Sequence, residues 1–205
     1  MGVPLDLLLL NANSITQDHR LTTDGFESNM AIGYFGRSLL TWCLEPVLSA
    51  TPESQVLSVV GLNLDRVDFE DLTMDKGYSA MKALGRWQWA MQVFCREYNQ
   101  RCPIAMNTFM PGLVKTKILA NEPQPMRAVV RVANALMGLS VEKSAAEVVE
   151  VVRRVEREHL RDAWFSRTKL KPRRDLREQA GDAARLWELT RQRLGAYLSA
   201  ESTAG

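Results

Sequence analysis

Tyr78 and Lys82 are the residues in this sequence whose types and spacing are best suited to catalysis. They lie in the stretch KGYSAMKALG, residues 76–85, which is typical of the start of a helix. Side chains at positions i and i+4 of a helix are neighbours, with their Cβ atoms about 6 Å apart. An ammonium at that distance lowers the pKa of a phenol, so we expect the tyrosine to exchange a proton with a bound oxygen near neutral pH.

The same pair also has a purely structural interpretation, because a tyrosine four residues before a lysine is a weak signal by itself. On that interpretation Tyr78 packs at the ends of strands and Lys82 is solvated. The two histidines are weaker candidates: His19 lies in a polar loop and His159 at a predicted helix end, and neither has a partner at metal-ligand spacing. The three cysteines also lack such spacing. The sequence therefore predicts no metal site.

Short apolar runs alternate with helical patterns along the first half of the chain. The runs at 5–10, 55–60 and 103–110 predict strands, and the periodicity of 22–48 and 78–98 predicts helices between them. This order predicts an α/β fold with a partial doubly wound parallel sheet of about four strands. Ligands bind beyond the carboxyl ends of such strands. The candidate site therefore comprises segments 11–14, 61–78 and 110–118.

The second half of the chain completes the predicted fold. We expect helices at 125–137 and 144–160, a short last strand at 163–166 and an amphipathic helix at 182–198. The basic segment SRTKLKPRRDLR, 166–177, is interpreted as a solvated loop. Trp87 and Trp89 are interpreted as part of a helix-face core or of a subunit interface, with a ligand-pocket wall as the alternative. A chain of 205 residues with 46% apolar content predicts a single domain over 1–205.

Composition excludes some partners and suggests a compartment. The net charge of +2 comes from 26 basic and 24 acidic residues, a near balance that gives no reason to expect nucleic acid or membrane as a partner. The first residues, MGVPLDLLLL, have neither the basic leader nor the length of a secretory signal or a membrane span. We therefore expect a cytoplasmic protein that binds a small-molecule substrate.

Five motifs, in the correct order, resemble the short-chain dehydrogenase/reductase family, in particular its retinol-dehydrogenase-like members. LDLLLLNAN resembles the family's fourth strand with its Asn-Ala-Gly motif, and TTDGFESNMAIGYFGRSLLT resembles the helix that follows. QVLSVVG is similar to the fifth strand, KGYSAMKALG to the Tyr-x-x-x-Lys helix and MPGLVKTKI to the Pro-Gly segment after the sixth strand. The resemblance implies that Tyr78 and Lys82 are catalytic. It places Asn11, Asn13, Lys82, Pro111 and Gly112 at positions that contact NAD(P) in the family.

The departures from the family pattern concern the cofactor and the active site. No Gly-rich nucleotide-binding fingerprint occurs in this sequence, and the strand that resembles the family's fourth begins near residue 5. The family's active-site asparagine corresponds to Gly33, its serine to Val60 or Gly61, and the glycine of its Asn-Ala-Gly motif to Asn13. These differences lead us to expect no cofactor, or NADP or NAD if an N-terminal part of the protein is missing from this sequence.

Three functions follow from the resemblance and its departures. The first is a protein of small-molecule, probably secondary, metabolism that has lost NAD(P) binding; it would act on an apolar or polyketide-like substrate by cofactor-free proton transfer, isomerisation or cyclisation at Tyr78. The second is an NAD(P)-dependent oxidoreductase acting on a carbonyl or alcohol. The third is a non-catalytic subunit or decoy that pairs with an intact homologue.

The oligomeric state is predicted from the same family resemblance. In the family another strand lies beside the fourth, so here the 5–10 strand should be an edge that needs cover. Family members also associate through the helices that correspond to 22–48 and 78–98. We therefore expect a homo-oligomer, formed through the strand edge or through these helices.

Overall fold

A five-stranded sheet forms the centre of the computed structural model, which describes residues 3–62, 64–116 and 138–201. The strands are β1 (Leu7–Leu10), β2 (Gln55–Val59), β3 (Ala105–Met110), β4 (Trp164–Ser166) and β5 (Lys169–Lys171), and they lie side by side in that order. The first four are mutually parallel, and β5 runs antiparallel to β4. The predicted α/β class is confirmed, with one strand more than expected.

Helices cover both faces of this sheet. They are α1 (Ser28–Met30), a π-helical turn (Ala31–Phe35), α2 (Gly36–Ser49), α3 (Ala80–Arg101), α4 (Val141–Arg157) and α5 (Asp182–Glu201). The first three segments form one continuous helical rod, and α5 packs against both α2 and α3. On the opposite face, α4 packs over β2 and β3 through Val151 and Val155. The predicted helix at 125–137 lies outside the described residues.

The first helix begins later than the periodicity of its sequence predicts. Glu27 is its N-cap: the carboxylate accepts hydrogen bonds from the backbone N–H groups of Asn29 and Met30, at 3.0 and 2.9 Å. Thr22, which is a reasonable cap by sequence, instead closes a turn in which its hydroxyl accepts from the Phe26 N–H. The chain from 22 to 27 is therefore a turn, because Glu27, five residues after Thr22, satisfies the free N–H groups of the helix.

The basic segment 166–177 was predicted to be a solvated loop throughout, but part of it forms a strand. Lys169–Lys171 pairs with β4 in a short hairpin, and Arg167 occupies the turn with φ of +55°. The hairpin forms because β4 is a short strand with an open edge, and lysines suit the outermost strand of a sheet. The remainder of the segment follows as irregular chain.

Aromatic side chains fill the core between the sheet and the rod. Trp87 and Trp89 are 1% and 0% exposed, which confirms the prediction that they belong to the core. Trp187 of α5 stacks on Phe94 of α3 with ring centroids 5.4 Å apart, and it meets Trp42 of α2 edge to face. The terminal helix therefore closes this core against both long helices.

β1 is an edge of the sheet within the described residues. It hydrogen-bonds to β2 alone, and the side chain of Leu9 is 40% exposed. This agrees with the expected edge. The homo-oligomer that would cover this edge stays a prediction.

Candidate functional site

The carboxyl ends of β1, β2 and β3 lie at one edge of the sheet because these strands are parallel neighbours. This geometry brings together Asn11 and Asn13 after β1, Gly61 after β2, and Pro111 and Gly112 after β3. Gly112 has φ of +78°, a backbone conformation that favours glycine. The described parts of the predicted candidate site, 11–14, 61–62, 64–78 and 110–116, therefore follow neighbouring strands at one edge of the sheet, and residues 63, 117 and 118 lie outside the described residues.

Tyr78 lies at this edge, two residues before α3, with its hydroxyl in a hydrogen-bond network. The hydroxyl donates to the backbone carbonyl of Thr16 at 2.7 Å and accepts from the side-chain amide of Asn29 at 2.9 Å. Thr16 belongs to the loop after β1, and Asn29 lies in α1. The phenol is therefore held by two segments that are distant from it in sequence.

Asn29 is itself fixed from both sides. Its amide nitrogen also donates to the Glu27 carboxylate at 2.8 Å, and its carbonyl oxygen accepts from the Thr16 N–H at 2.8 Å. Glu27 and Asn29 are each 1% exposed. A buried carboxylate thus orients an amide, and the amide orients the phenol, as in other fully bonded polar networks.

Lys82 does not act on the Tyr78 hydroxyl as the sequence led us to expect. It is exposed, and its ammonium donates to the Gly77 carbonyl at 3.5 Å. Burial raises the pKa of Tyr78, the Thr16 hydrogen bond opposes this, and the Glu27 carboxylate adds to it. The net direction is upward, opposite to the predicted lowering, because the hydroxyl faces neutral groups and a carboxylate instead of the ammonium.

His19, which the sequence placed on the surface, borders this network. Its imidazole is exposed, yet the ring lies 5.2 Å from the Tyr78 ring between centroids, and Nε2 is 2.7 Å from the Thr73 carbonyl. His19 therefore limits the space beside the phenol.

Position 33, where the family carries its active-site asparagine, is filled by Trp87 of α3. A Cβ atom added to Gly33 would lie 2.4 Å from Cδ2 and 2.5 Å from Cγ of the indole, far inside van der Waals contact. Gly33 lies in the π-helical turn. The glycine therefore permits the close approach of the two helices.

Position 61, one of the two positions that correspond to the family's serine, is approached by Gln88. A Cβ atom at Gly61 would lie 2.7 Å from both the nitrogen and the oxygen of the Gln88 amide. Gln88 is 4% exposed, and its Oε1 has no hydrogen-bond partner among the described residues. This obstruction is softer than that at position 33, because the end of a glutamine side chain can rotate and an indole inside a core cannot.

Arg37 is a buried cation at the same edge of the sheet. Its guanidinium donates to the Ala12 carbonyl at 2.6 Å and to the Val59 carbonyl at 2.7 Å, and it lies 4.9 Å above the Trp87 ring. Burial lowers the pKa of Arg37 to about 10. The guanidinium therefore joins the carboxyl ends of β1 and β2 at a point where a ligand would otherwise approach their carbonyls.

Sequence reasoning identified Tyr78 and missed its partners. Thr16 and Asn29 contact the Tyr78 hydroxyl across 62 and 49 residues of sequence. Glu27 acts through its neighbour Asn29, and Arg37 contacts Ala12 across 25 residues. Glu27 carried little local signal, because Ser, Thr, Asp and Asn are the residues preferred at N-caps. The other three carried no motif by which they could have been found.

Within the described ranges, no cluster of three or more His, Cys, Asp or Glu side chains could hold a metal ion. The helices of those ranges also include none that is long and apolar enough to cross a membrane.

No protein-family model matches the chain. Several curated proteins are similar to part of the chain. The chain is 30% identical to retinol dehydrogenase 13 from Mus musculus over 120 residues, 56% of this chain and 36% of that protein. It is 28% identical to the polyprenol dehydrogenase of the same species over 160 residues, 73% of this chain and 48% of the relative. It is 34% identical to the short-chain dehydrogenase/reductase prx1 from Penicillium roqueforti over 123 residues, 56% of this chain and 36% of that protein.

A solved structure shows the same fold. The crystal structure of an uncharacterised protein from Mycobacterium paratuberculosis matches 94% of this chain and 68% of its own, with a TM-score of 0.60 and 23% identity. The chain spans less than half the length of the curated relatives named above. Those relatives, together with the order of the motifs along the sheet, show that the chain is similar, over 56 to 73% of its length, to retinol-dehydrogenase-like members of the short-chain dehydrogenase/reductase family.

Proposed function

We propose that this chain binds an apolar small molecule at the carboxyl edge of its sheet and exchanges a proton with the ligand's oxygen through Tyr78, without hydride transfer. The observation that carries the proposal is the contrast between Tyr78 and position 33. The phenol is held in a complete hydrogen-bond network, whereas the indole of Trp87 stands where an asparagine side chain would be.

The direction of the Tyr78 pKa decides which way the proton moves first. A raised pKa keeps the phenol protonated at neutral pH, so Tyr78 acts as an acid towards a carbonyl oxygen. In that step the phenol O–H bond breaks and an O–H bond forms on the ligand. The Asn29 amide, which already donates to the phenol oxygen, stabilises the negative charge that this oxygen gains. Tyr78 can then recover the proton when the ligand oxygen releases it.

The ligand class follows from the names of the relatives. Retinol and polyprenol are apolar alcohols, and proteins named for dehydrogenating them match 56% and 73% of this chain. An apolar ketone or aldehyde with an exchangeable α-hydrogen is therefore a suitable probe.

The test is the exchange of deuterium from solvent into such a ketone, followed by mass spectrometry. In this exchange solvent water removes the α-hydrogen while Tyr78 protonates the carbonyl oxygen, and the enol then takes a deuteron from solvent at the α-carbon as its O–H proton returns to Tyr78. Tyr78→Phe should slow the exchange by about 10²- to 10⁴-fold, the range that a positioned acid typically contributes. Tyr197→Phe on α5, a partly exposed tyrosine, is the matched control and should exchange like the wild type. Equal rates for wild type and Tyr78→Phe would refute the role of Tyr78.

A second candidate is an NAD(P)-dependent oxidoreductase, which is favoured by the fact that the curated relatives are named dehydrogenases and are more than twice as long as the matched region. In that case the cofactor would supply the hydride. Its contacts within this chain would come from Asn11, Asn13, Lys82, Pro111 and Gly112. The exposed Lys82 ammonium and the unpartnered Oδ1 of Asn13 fit such contacts, but the filled position 33 does not fit the family's active site.

Calorimetric titration with NADPH and with NADH separates the two candidates. Micromolar binding of either cofactor that is weakened in Lys82→Ala supports the oxidoreductase. No heat of binding from either cofactor, together with Tyr78-dependent deuterium exchange, supports the proton-transfer function.

A further inference from the structure

The Tyr78 hydroxyl, which the proposed function requires, is already hydrogen-bonded within the chain. Its proton is donated to the Thr16 carbonyl at 2.7 Å, and its oxygen accepts from the Asn29 amide at 2.9 Å. A phenol has one proton to donate, so it cannot donate to a ligand oxygen while the Thr16 carbonyl is its acceptor. A ligand can therefore receive this proton only after the Thr16 carbonyl has moved away.

The loop that carries this carbonyl is anchored at both ends. On one side, the Arg37 guanidinium donates to the Ala12 carbonyl at 2.6 Å. On the other side, the Arg20 carbonyl accepts from the backbone N–H and the hydroxyl of Ser28, at 3.0 and 2.9 Å. Between these anchors, residues 13–19 are all half-buried or exposed. Such a segment can open locally while the rest of the chain stays folded.

Two sets of contacts hold residues 13–19 against the site. The side-chain oxygen of Asn29 accepts from the Thr16 N–H at 2.8 Å, and its nitrogen donates to the Thr16 hydroxyl at 2.9 Å. At the far end of the loop, Nε2 of His19 lies 2.7 Å from the Thr73 carbonyl. A carbonyl oxygen only accepts, so this nitrogen carries a proton and donates it.

The acceptor of the His19 hydrogen bond belongs to a turn that is fixed by its own contacts. The Asp71 carboxylate accepts from the backbone N–H groups of Asp75 and Lys76, at 2.9 and 3.3 Å. The Thr73 hydroxyl donates to the Asp75 carboxylate at 2.8 Å. His19 therefore joins a loop that can open to a turn that is held in place.

We infer that residues 13–19 form a gate that closes the candidate site, with His19 as its latch. In the closed state the Thr16 carbonyl accepts the Tyr78 proton, and in the open state a ligand oxygen takes its place. Because the ligand binds only the open state, its apparent affinity is reduced by the fraction of molecules that are open. The regulatory role of the gate rests on the function proposed for Tyr78, whereas the gate itself does not.

Backbone amide hydrogen exchange at Thr16, followed in nitrogen–proton correlation spectra, tests the gate independently of catalysis. His19→Phe keeps an aromatic ring beside Tyr78 and removes the donor, so the Thr16 amide should exchange about two- to tenfold faster, the factor that one hydrogen bond typically contributes. Tyr78→Phe removes the bond to the Thr16 carbonyl and should have an effect of the same size. His19→Gln is the matched control, since its amide nitrogen can donate in place of Nε2, and its Thr16 amide should exchange like that of the wild type.

The amide of Leu57 distinguishes local opening from unfolding of the whole chain. Leu57 is 0% exposed and lies in β2, between β1 and β3. Its exchange should be unchanged in these variants. An equal rise at Leu57 and Thr16, or no rise at Thr16 in His19→Phe and Tyr78→Phe, would overturn the gate.

The deuterium exchange of the ketone tests the regulatory role. His19→Phe should raise the Tyr78-dependent rate by about two- to tenfold, because a larger fraction of the molecules is open. A faster Thr16 amide together with an unchanged ketone rate would show that the gate does not control the site. If the wild-type rate does not depend on Tyr78, the proposed function and with it the regulatory role fail, and the Thr16 amide still decides whether the gate exists.

Discussion

Gly33→Ala adds one methyl group at the place where Trp87 packs most tightly against the helical rod. In an ordinary helix this change stabilises a protein by about 1 kcal/mol, because alanine is the better helix former. Here the new Cβ would lie 2.4 Å from the indole, whereas carbon atoms pack at about 3.5 to 4.0 Å. The indole is 1% exposed and has a guanidinium over its face, so it must move by about 1 Å or more inside a filled core. Overpacking of this kind costs about 1 to 3 kcal/mol.

The measurement is the free energy of unfolding in urea, compared with a matched glycine. Gly195 lies inside α5, and nothing lies within 4 Å of where its Cβ would be. We expect Gly195→Ala to be more stable than the wild type by about 0.5 to 1 kcal/mol and Gly33→Ala to be less stable by about 1 to 3 kcal/mol. The opposite signs of the same chemical change at two helical positions measure the contact with Trp87.

A double-mutant cycle identifies Trp87 as the cause. Trp87→Leu alone should be destabilising, because it removes part of a large buried side chain. In that background Gly33→Ala should become neutral or stabilising, which gives a coupling energy of about 2 kcal/mol. If Gly33→Ala is as stabilising as Gly195→Ala in the wild-type background, position 33 is open and the argument that Trp87 fills it is wrong.

Three further outcomes follow from buried charges and thiols. Arg37→Met should lower the free energy of unfolding by about 1 to 3 kcal/mol, because it removes the buried guanidinium that donates to the Ala12 and Val59 carbonyls. Arg20→Met at the exposed ion pair should change it by less than about 0.5 kcal/mol, and urea unfolding of both variants tests this. Arg66 lowers the pKa of Asp182, so the stability from this pair is present above the unfolded carboxyl pKa of about 4 and is lost as the pH falls below it. The free energy of unfolding of Asp182→Asn should therefore fall less than that of the wild type between pH 5 and 3. An identical dependence on pH in the two proteins would contradict this assignment. Burial raises the pKa of Cys95 to about 12, so this thiol should resist a thiol reagent at pH 8 in the folded protein and react fully in urea. Peptide mass spectrometry locates the labelled cysteine. Rapid labelling of Cys95 in the folded protein would contradict its burial.

The parallel sheet could be predicted from the sequence because its strands are short apolar runs. Gln55–Val59 and Ala105–Met110 lie within the predicted ranges, and α3 begins within two residues of its predicted start. Such segments are specified locally, by hydrophobic periodicity and by flanking turns. The strand Lys169–Lys171 was missed because it forms by pairing with β4 and not from its own sequence pattern. Its lysines are typical of a solvated loop.

Only part of the candidate site could be predicted from the sequence, because the partners of Tyr78 are brought to it by the fold. Tyr78 and Lys82 stand four residues apart and form a motif, but the groups that set the behaviour of Tyr78 are Thr16, Asn29 and Glu27. Those contacts depend on where the loop after β1 lies over the start of the helical rod. A spacing rule can say which side chains share a helix face, but it cannot say towards which partner a phenol turns.

The packing of Trp87 against Gly33 has a consequence for the order in which substitutions can accumulate. A chain that carries this indole cannot accept an asparagine at position 33 in one step, because the backbone of the rod would have to move away from α3. A smaller residue at position 87 must come first, and by itself that change opens a cavity in the core and weakens the fold. Each single step back towards the family's arrangement is therefore less stable than the present pair. Substitutions at positions 33 and 87 are therefore coupled, and a larger residue at 33 is compatible with the fold only together with a smaller one at 87.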